Sequence, residues 1–205
     1  MSVSHGEQIR EAEAHGEQQG RSLEWWGMIF FIASEALIFA NLIAAYLYLE
    51  IRNGNWQLPT ELVFPLINTV ILLGSSVPAR IAGAAIAKGN RGRMQGFLLL
   101  TIIMGLWFLG GQIYEYSGLF GQHFTPQASV FGSSFFTLTG FHGLHVTVGA
   151  LFLIIVLLRS LRGDFSAKKH FAVQAAEMYW HFVDGVWIVV FSLVYLLPLL
   201  GVFHS

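Results

Sequence analysis

Cysteine is absent from the 205 residues. Disulfides, thiolate metal sites and cysteine nucleophiles are therefore excluded. Charge is scarce: Asp, Glu, Lys and Arg make up 11% of the chain, against about 25% in a soluble domain. The formal net charge of −1 leaves no basic excess to hold nucleic acid, and none is expected as a partner. Nucleotide and hydrolase signatures are missing too. The stretch "GNRGRMQG" is glycine-rich, but it follows an apolar run and lacks the Lys-Ser/Thr ending of a phosphate-binding loop. No G-x-S-x-G or H-E-x-x-H occurs. No internal repeat is visible, and the first 23 residues lack the basic and apolar regions of a signal peptide.

What the chain has is apolar length. Hydrophobic residues make up 55% of it and the mean hydropathy is +0.60. The apolar runs are continuous, not alternating, so the expected fold is an all-α integral membrane bundle and not a barrel. Five spans are read at Trp25–Leu49, Val63–Ala87, Phe97–Tyr116, Val130–Leu158 and Met178–Val202. Each meets the roughly 20 residues needed to cross a bilayer core. Residues 1–23 read as a polar cytoplasmic tail with one short helix near Gln8–Ala14 and solvated histidines at His5 and His15. Residues 24–205 read as the membrane domain.

With five spans, Arg10, Arg21, Arg80, Lys88, Arg91, Arg93, Arg159, Arg162, Lys168 and Lys169 share one side of the membrane, and Arg52 is alone on the other. The positive-inside rule then puts the N-terminus in the cytoplasm and the C-terminus outside. Trp25, Trp26 and Trp180 read as a cytoplasmic interfacial belt, and Tyr114 and Tyr116 as the outer one. Trp107 and Trp187 read as deeper packing residues.

Several titratable groups fall inside the apolar runs. Glu35 lies ten residues into the first span, roughly 15 Å deep. An ionised, unpaired carboxylate there costs several kcal/mol, so it is expected to be protonated, hydrogen-bonded or both. It reads either as a proton site or as a neutral acid bonding a neighbouring helix. His142 and His145 share a helix face at i, i+3, among Gly140, Gly143 and Gly149, whose spacing permits close helix approach. Two histidines are too few for a metal. The expected depths also separate them from His181, which the span boundaries put only one turn inside the fifth span, so no metal site is expected. Interhelical hydrogen bonding is the expected role of His142, His145, His181, Asp184, Glu115 and Glu177, with His181 and Asp184 as a self-satisfying pair. Arg159, in the basic stretch after the fourth span, is a candidate lipid-headgroup contact. No catalytic site is expected in the chain.

The blocks "FFIASEALIF", "LINTVILLGSS", "GQIYEYS", "FGSSFFTLTGFHGLHVTVG" and "YWHFVDGVWIVVFSLVYLL" together resemble subunit III of the haem-copper oxidases, in the family's order and over about Trp25 to Leu197. The resemblance implies a non-catalytic subunit of a proton-pumping terminal respiratory oxidase, which passes electrons to dioxygen to give water. It implies that haems and copper sit in partner subunits I and II and none in this chain. It also implies direct contact with subunit I, further contact with subunit II and a small subunit IV, and bound phospholipid. Glu35 falls on the family's membrane-buried glutamate. "SEALIF" and "TGFHGLHV" look more like the cytochrome c branch than the quinol branch, which is the alternative. A stand-alone proton channel or transporter is the reading from another class. The short form implies a bacterial plasma membrane, or a thylakoid in a cyanobacterium.

Overall fold

The computed structural model describes residues 22–53 and 61–200, the last two by backbone only. The expected tail helix, His5 and His15 lie outside the described residues. All regular structure among the described residues is helical: α1 Leu23–Asn53, α2 Val63–Gly74, α3 Ser76–Ala87, α4 Arg91–Gly121, α5 Val130–Leu161, α6 Phe171–Phe191, a π-helical turn at Ser192–Leu196 and α7 Leu197–Leu200. Five units are long and apolar enough to cross a membrane: α1, α2 with α3, α4, α5, and α6 with the π turn.

The helices outrun the expected spans. At 31 residues, α4 is roughly 46 Å long, beyond the ~30 Å hydrocarbon core. Its start is set by a cap and not by hydrophobicity: the Asn90 side chain accepts from the Arg93 amide at 3.1 Å. Ser129 does the same for α5, accepting from the Gly132 amide at 2.9 Å. The largest correction concerns α6, which begins at Phe171 and not Met178. The segment "FAVQAAE" reads as polar, but its three alanines favour helix strongly. His181 therefore lies ten residues inside its helix, not one turn.

Proline shapes the two irregular spans. Pro78 donates no amide hydrogen to the Gly74 carbonyl, and the helix breaks at Ser75 between α2 and α3. Pro198 likewise leaves the Val194 carbonyl without its donor, and the preceding turn widens into the π form. Two tight reversals use glycine in the left-handed region, Gly89 at φ 76° and Gly163 at φ 85°; His123 occupies the same region at φ 61° after α4.

Packing centres on α4, which lies against α2, α3 and α5, and on α6, which lies against α3 and α5. α1 is peripheral, touching mainly α5 and α6, and buries only Phe39, Tyr46 and Glu50. Trp180 ties the bundle together. Its indole is fully buried, donates from Nε1 to Ser75 Oγ at 2.8 Å, and occupies the space that side chains at Gly105 on α4 and Gly149 on α5 would need. The belt position expected for Trp180 is thus wrong, because α6 starts a full seven residues earlier. Tyr116 also turns inward, whereas Tyr114 is exposed as a belt residue would be. Trp107 is 64% exposed and Trp187 only 3%, so just one of the two expected packing tryptophans packs within this chain.

Candidate functional site

The polar residues form three clusters. One joins α1 to α5. His145 Nδ1 donates to the Phe141 carbonyl at 2.9 Å, one helical turn back. Its Nε2 lies 2.9 Å from Glu35 Oε2. A carbonyl can only accept, so Nδ1 carries a proton. The Nε2 to Oε2 contact then holds exactly one more, either on the carboxyl or on the ring. The pair is neutral in both forms and can pass that proton between two atoms. Phe39 packs edge-on against the imidazole at 4.7 Å between ring centres and closes one side.

A second cluster lies toward the end of the bundle that carries the basic linkers. The expected His181–Asp184 pair is not direct. Ser76, at the start of α3, sits between them. Its hydroxyl donates to Asp184 Oδ2 and, with its one proton so committed, accepts from His181 Nδ1 at 2.9 Å. Two residues on one helix cannot satisfy each other here, and the partner comes from another helix. Glu177 lies 3.7 Å from His181 Nε2 and 3.7 Å from Arg80. It can do so because Gly83 has no side chain; a Cβ there would overlap the carboxylate.

The third cluster lies toward the opposite end. Tyr195, positioned by the π turn, donates to Glu115 Oε1 at 2.9 Å. Gln112 donates to the Thr139 carbonyl at 2.9 Å and to Tyr116 Oη at 3.2 Å, and Tyr116 pairs with Thr139 Oγ1 at 2.7 Å. The Gln112 amide rests on the bare backbone of Gly143; a Cβ there would come within 2.6 Å of Oε1. Asn68 donates to the Phe108 carbonyl at 3.0 Å.

His142 belongs to none of these clusters, contrary to the hydrogen-bonding role expected of it. It is fully buried, stacks on Trp187 with ring centres 4.6 Å apart, and meets Phe108 edge-on at 5.9 Å. Among the described residues neither ring nitrogen has a hydrogen-bond partner. Its ring contacts are aromatic. Among the described residues no three His, Asp or Glu side chains gather as a metal-holding group. Arg159 is half exposed, pairs with Asp164 at 3.2 Å and lies over the Phe165 ring at 5.2 Å.

Reasoning from titratable side chains alone missed Ser76, Asn68, Gln112 and Tyr195, which complete the clusters. It also placed Glu50 in a linker. Glu50 is helical and 3% exposed, with no partner for Oε2 among the described residues. Its i, i+4 spacing from Tyr46, on the stripe that includes Phe39, was the available signal.

Comparison with known proteins gives a consistent result. Residues 6–198 match the family described as cytochrome c oxidase subunit III. A cytochrome c oxidase subunit 3 of Synechocystis is 43% identical over 190 residues, covering 90% of this chain and 80% of that one. The subunit 3 of Thermostichus vulcanus is 41% identical over 198 residues, covering 95% and 96%. That of Rattus norvegicus is 41% identical over 181 residues, covering 83% and 68%.

Proposed function

The chain belongs to the cytochrome c oxidase subunit III family, and on that premise we propose that it serves its oxidase without carrying the redox chemistry, by stabilising subunit I and supporting proton uptake. It is a multi-pass membrane subunit of an oxidoreductase complex. The cytochrome c branch stands and the quinol alternative is not favoured. Haems and copper belong to subunits I and II in this reading. The direct partner is subunit I, with subunit II, a small subunit IV and phospholipids beside it. The N-terminus is cytoplasmic, and the membrane is a bacterial plasma membrane or a cyanobacterial thylakoid.

The observation that supports this reading is the Glu35–His145 pair, a 2.9 Å hydrogen bond between two acid–base groups that joins two membrane-spanning helices. Glu35 is the proton-exchanging or structural acid. His145, His181, Asp184, Glu115 and Glu177 hold helices together through the polar contacts described above, and His142 does so by stacking. Arg159 is the headgroup contact, with its ion pair to Asp164 fixing the guanidinium beside the Phe165 ring. Residues 1–23 act as a polar tail to the membrane domain at 24–205.

The test is oxygen consumption against time, at two pH values, by the oxidase with and without this subunit. Without it, the enzyme reduces oxygen at first, slows more at high pH where proton donors are scarce, and inactivates progressively during turnover. Immediate and complete loss of activity at both pH values overturns the supporting role. A hydrophobic carbodiimide, which reacts with protonated carboxyls, labels Glu35 in preference to the exposed acids; equal labelling of Glu24 overturns the proton-bearing assignment.

A further inference from the structure

The third cluster contains a polar atom that the protein leaves unanswered. Asn68 is 4% exposed, and its Oδ1 has no hydrogen-bond partner. Its orientation is fixed. Nδ2 donates to the Phe108 carbonyl at 3.0 Å, so turning the amide over would set oxygen against oxygen. The carboxamide is also wedged against the bare backbone of Gly111, where a Cβ would overlap it. It cannot rotate to find another donor.

Beside it is a small, partly open recess bounded by Pro65, Asn68, Phe108, Gln112, Glu115 and Trp187. The space open to a water molecule is about 10 Å³, roughly one molecule's worth. Glu115 contributes a carboxyl whose Oε1 already accepts from Tyr195. A carboxyl has several further lone-pair positions, so this bond does not satisfy it. A dry cavity of that size is expected where the walls are apolar. Here Asn68, Gln112 and Glu115 are polar, and Asn68 holds a buried acceptor that no group among the described residues reaches.

We propose that this cavity is a binding site for one internal water molecule, which bridges Asn68 Oδ1 and the Glu115 carboxyl. The water joins α2 to α4, and through Tyr195 to the π turn after α6. The π turn and the water are parts of one arrangement: Pro198 widens the helix, Tyr195 reaches Glu115, and the water carries the connection on to Asn68. It also gives Glu115 a mobile exchange partner, making it a second carboxyl proton site, separate in depth from Glu35.

Two measurements on the assembled oxidase test this. A map of the complex that resolves other internal waters shows density between Asn68 and Glu115; an empty cavity in such a map overturns the proposal, whatever any variant does. The Glu115 carboxyl vibration, identified by its loss in Glu115→Gln, changes frequency in Asn68→Leu, which keeps the volume and removes the acceptor. An unmoved band in an assembled Asn68→Leu complex overturns it as well. Neither readout depends on the supporting role in proton uptake.

Discussion

Adding one methyl group at Gly105 tests whether Trp180 is the tie that the fold suggests. The ideal Cβ at position 105 comes within 2.5 Å of Trp180 Cη2 and 2.9 Å of Cζ2. Carbon atoms prefer about 3.5–4 Å, so the ring must move by about 1 Å. It also lies against Gly149, where the ideal Cβ position is 3.0 Å from Cε3, so it has little room to retreat. A 1 Å shift directed away from Ser75 draws Nε1 from 2.8 Å to about 3.8 Å from Oγ, which breaks that bond. Overpacking costs ~1–3 kcal/mol. A lost interhelical hydrogen bond in a membrane protein costs about 0.6 kcal/mol. Replacing glycine by alanine within a helix returns up to about 1 kcal/mol. Gly105→Ala should therefore lose about 2 kcal/mol. On the same helix Gly110 has nothing within 4 Å of its ideal Cβ, so Gly110→Ala should be neutral or slightly stabilising. The assay is unfolding of the purified subunit in mixed detergent micelles, followed by circular dichroism. Trp180→Phe should partly rescue Gly105→Ala, because the smaller ring vacates the contested space. Equal stability of the two alanine variants would refute the argument.

Two further outcomes follow from the other clusters. Ser76→Ala removes the hydroxyl that His181 Nδ1 and Asp184 Oδ2 share and should cost ~1–3 kcal/mol in the same assay, chiefly for the buried Asp184 carboxyl left unpaired; a change under about 0.5 kcal/mol would mean that another group takes its place. Glu35→Gln retains a donor for His145 Nε2 and should fold and assemble normally, whereas His145→Phe strands the carboxyl and should lower subunit retention in the complex; equal retention of both variants contradicts the pairing.

The number of spans was legible because a bilayer demands length and apolarity, and both are written along the chain; their limits were less so, because caps and helix propensity carry the helices past the apolar runs. The second span was placed at the observed Val63–Ala87. Which way each side chain faces was not legible. In a soluble helix the polar face marks the outside. In these spans both faces are apolar, so Trp107 at 64% exposure and Trp187 at 3% look alike in sequence. The start of α6 was misplaced because charge and amide groups were weighed above helix propensity, and that error carried Trp180 to the wrong environment. The clusters were half legible. Acids and histidines in apolar runs advertise themselves, while Ser76, Asn68 and Thr139 are ordinary residues until a neighbouring helix arrives. Tyr195 was hidden for another reason: its direction depends on the π turn at Ser192–Leu196, and a 3.6-residue period points it elsewhere.

The depths of the clusters bear on whether this chain conducts protons by itself. Glu35, His145 and Asp184 lie on one side of a layer formed by Phe39, Leu72, Phe108, His142 and Trp187. Each helix tells the same story. The order along α1 is Glu35, Phe39, Tyr46; along α4 it is Phe108, Gln112, Glu115; along α5 it is His145, His142, Thr139; along α6 it is Asp184, Trp187, Tyr195. At 1.5 Å per residue the layer stands about one turn from Glu35, His145 and Asp184 on one side and from Gln112 and Thr139 on the other, with Tyr46 and Tyr195 about two turns away. It is closed by ring contacts: His142 on Trp187 at 4.6 Å, Trp187 on Phe108 at 4.9 Å, and Phe39 near His142 at 6.5 Å. The one titratable member is His142, and the groups it contacts in the layer, Trp187, Phe108 and Phe39, are aromatic rings that take up no proton. A proton can therefore reach either group of acids from its own side but meets an apolar layer between them. The isolated subunit in lipid vesicles should pass no more protons than lipid alone, as read by an entrapped pH-sensitive dye under an imposed gradient. Phe108→Ala should open the layer and raise the leak if assembly survives. A leak in the unmodified subunit would refute the barrier and revive the stand-alone channel.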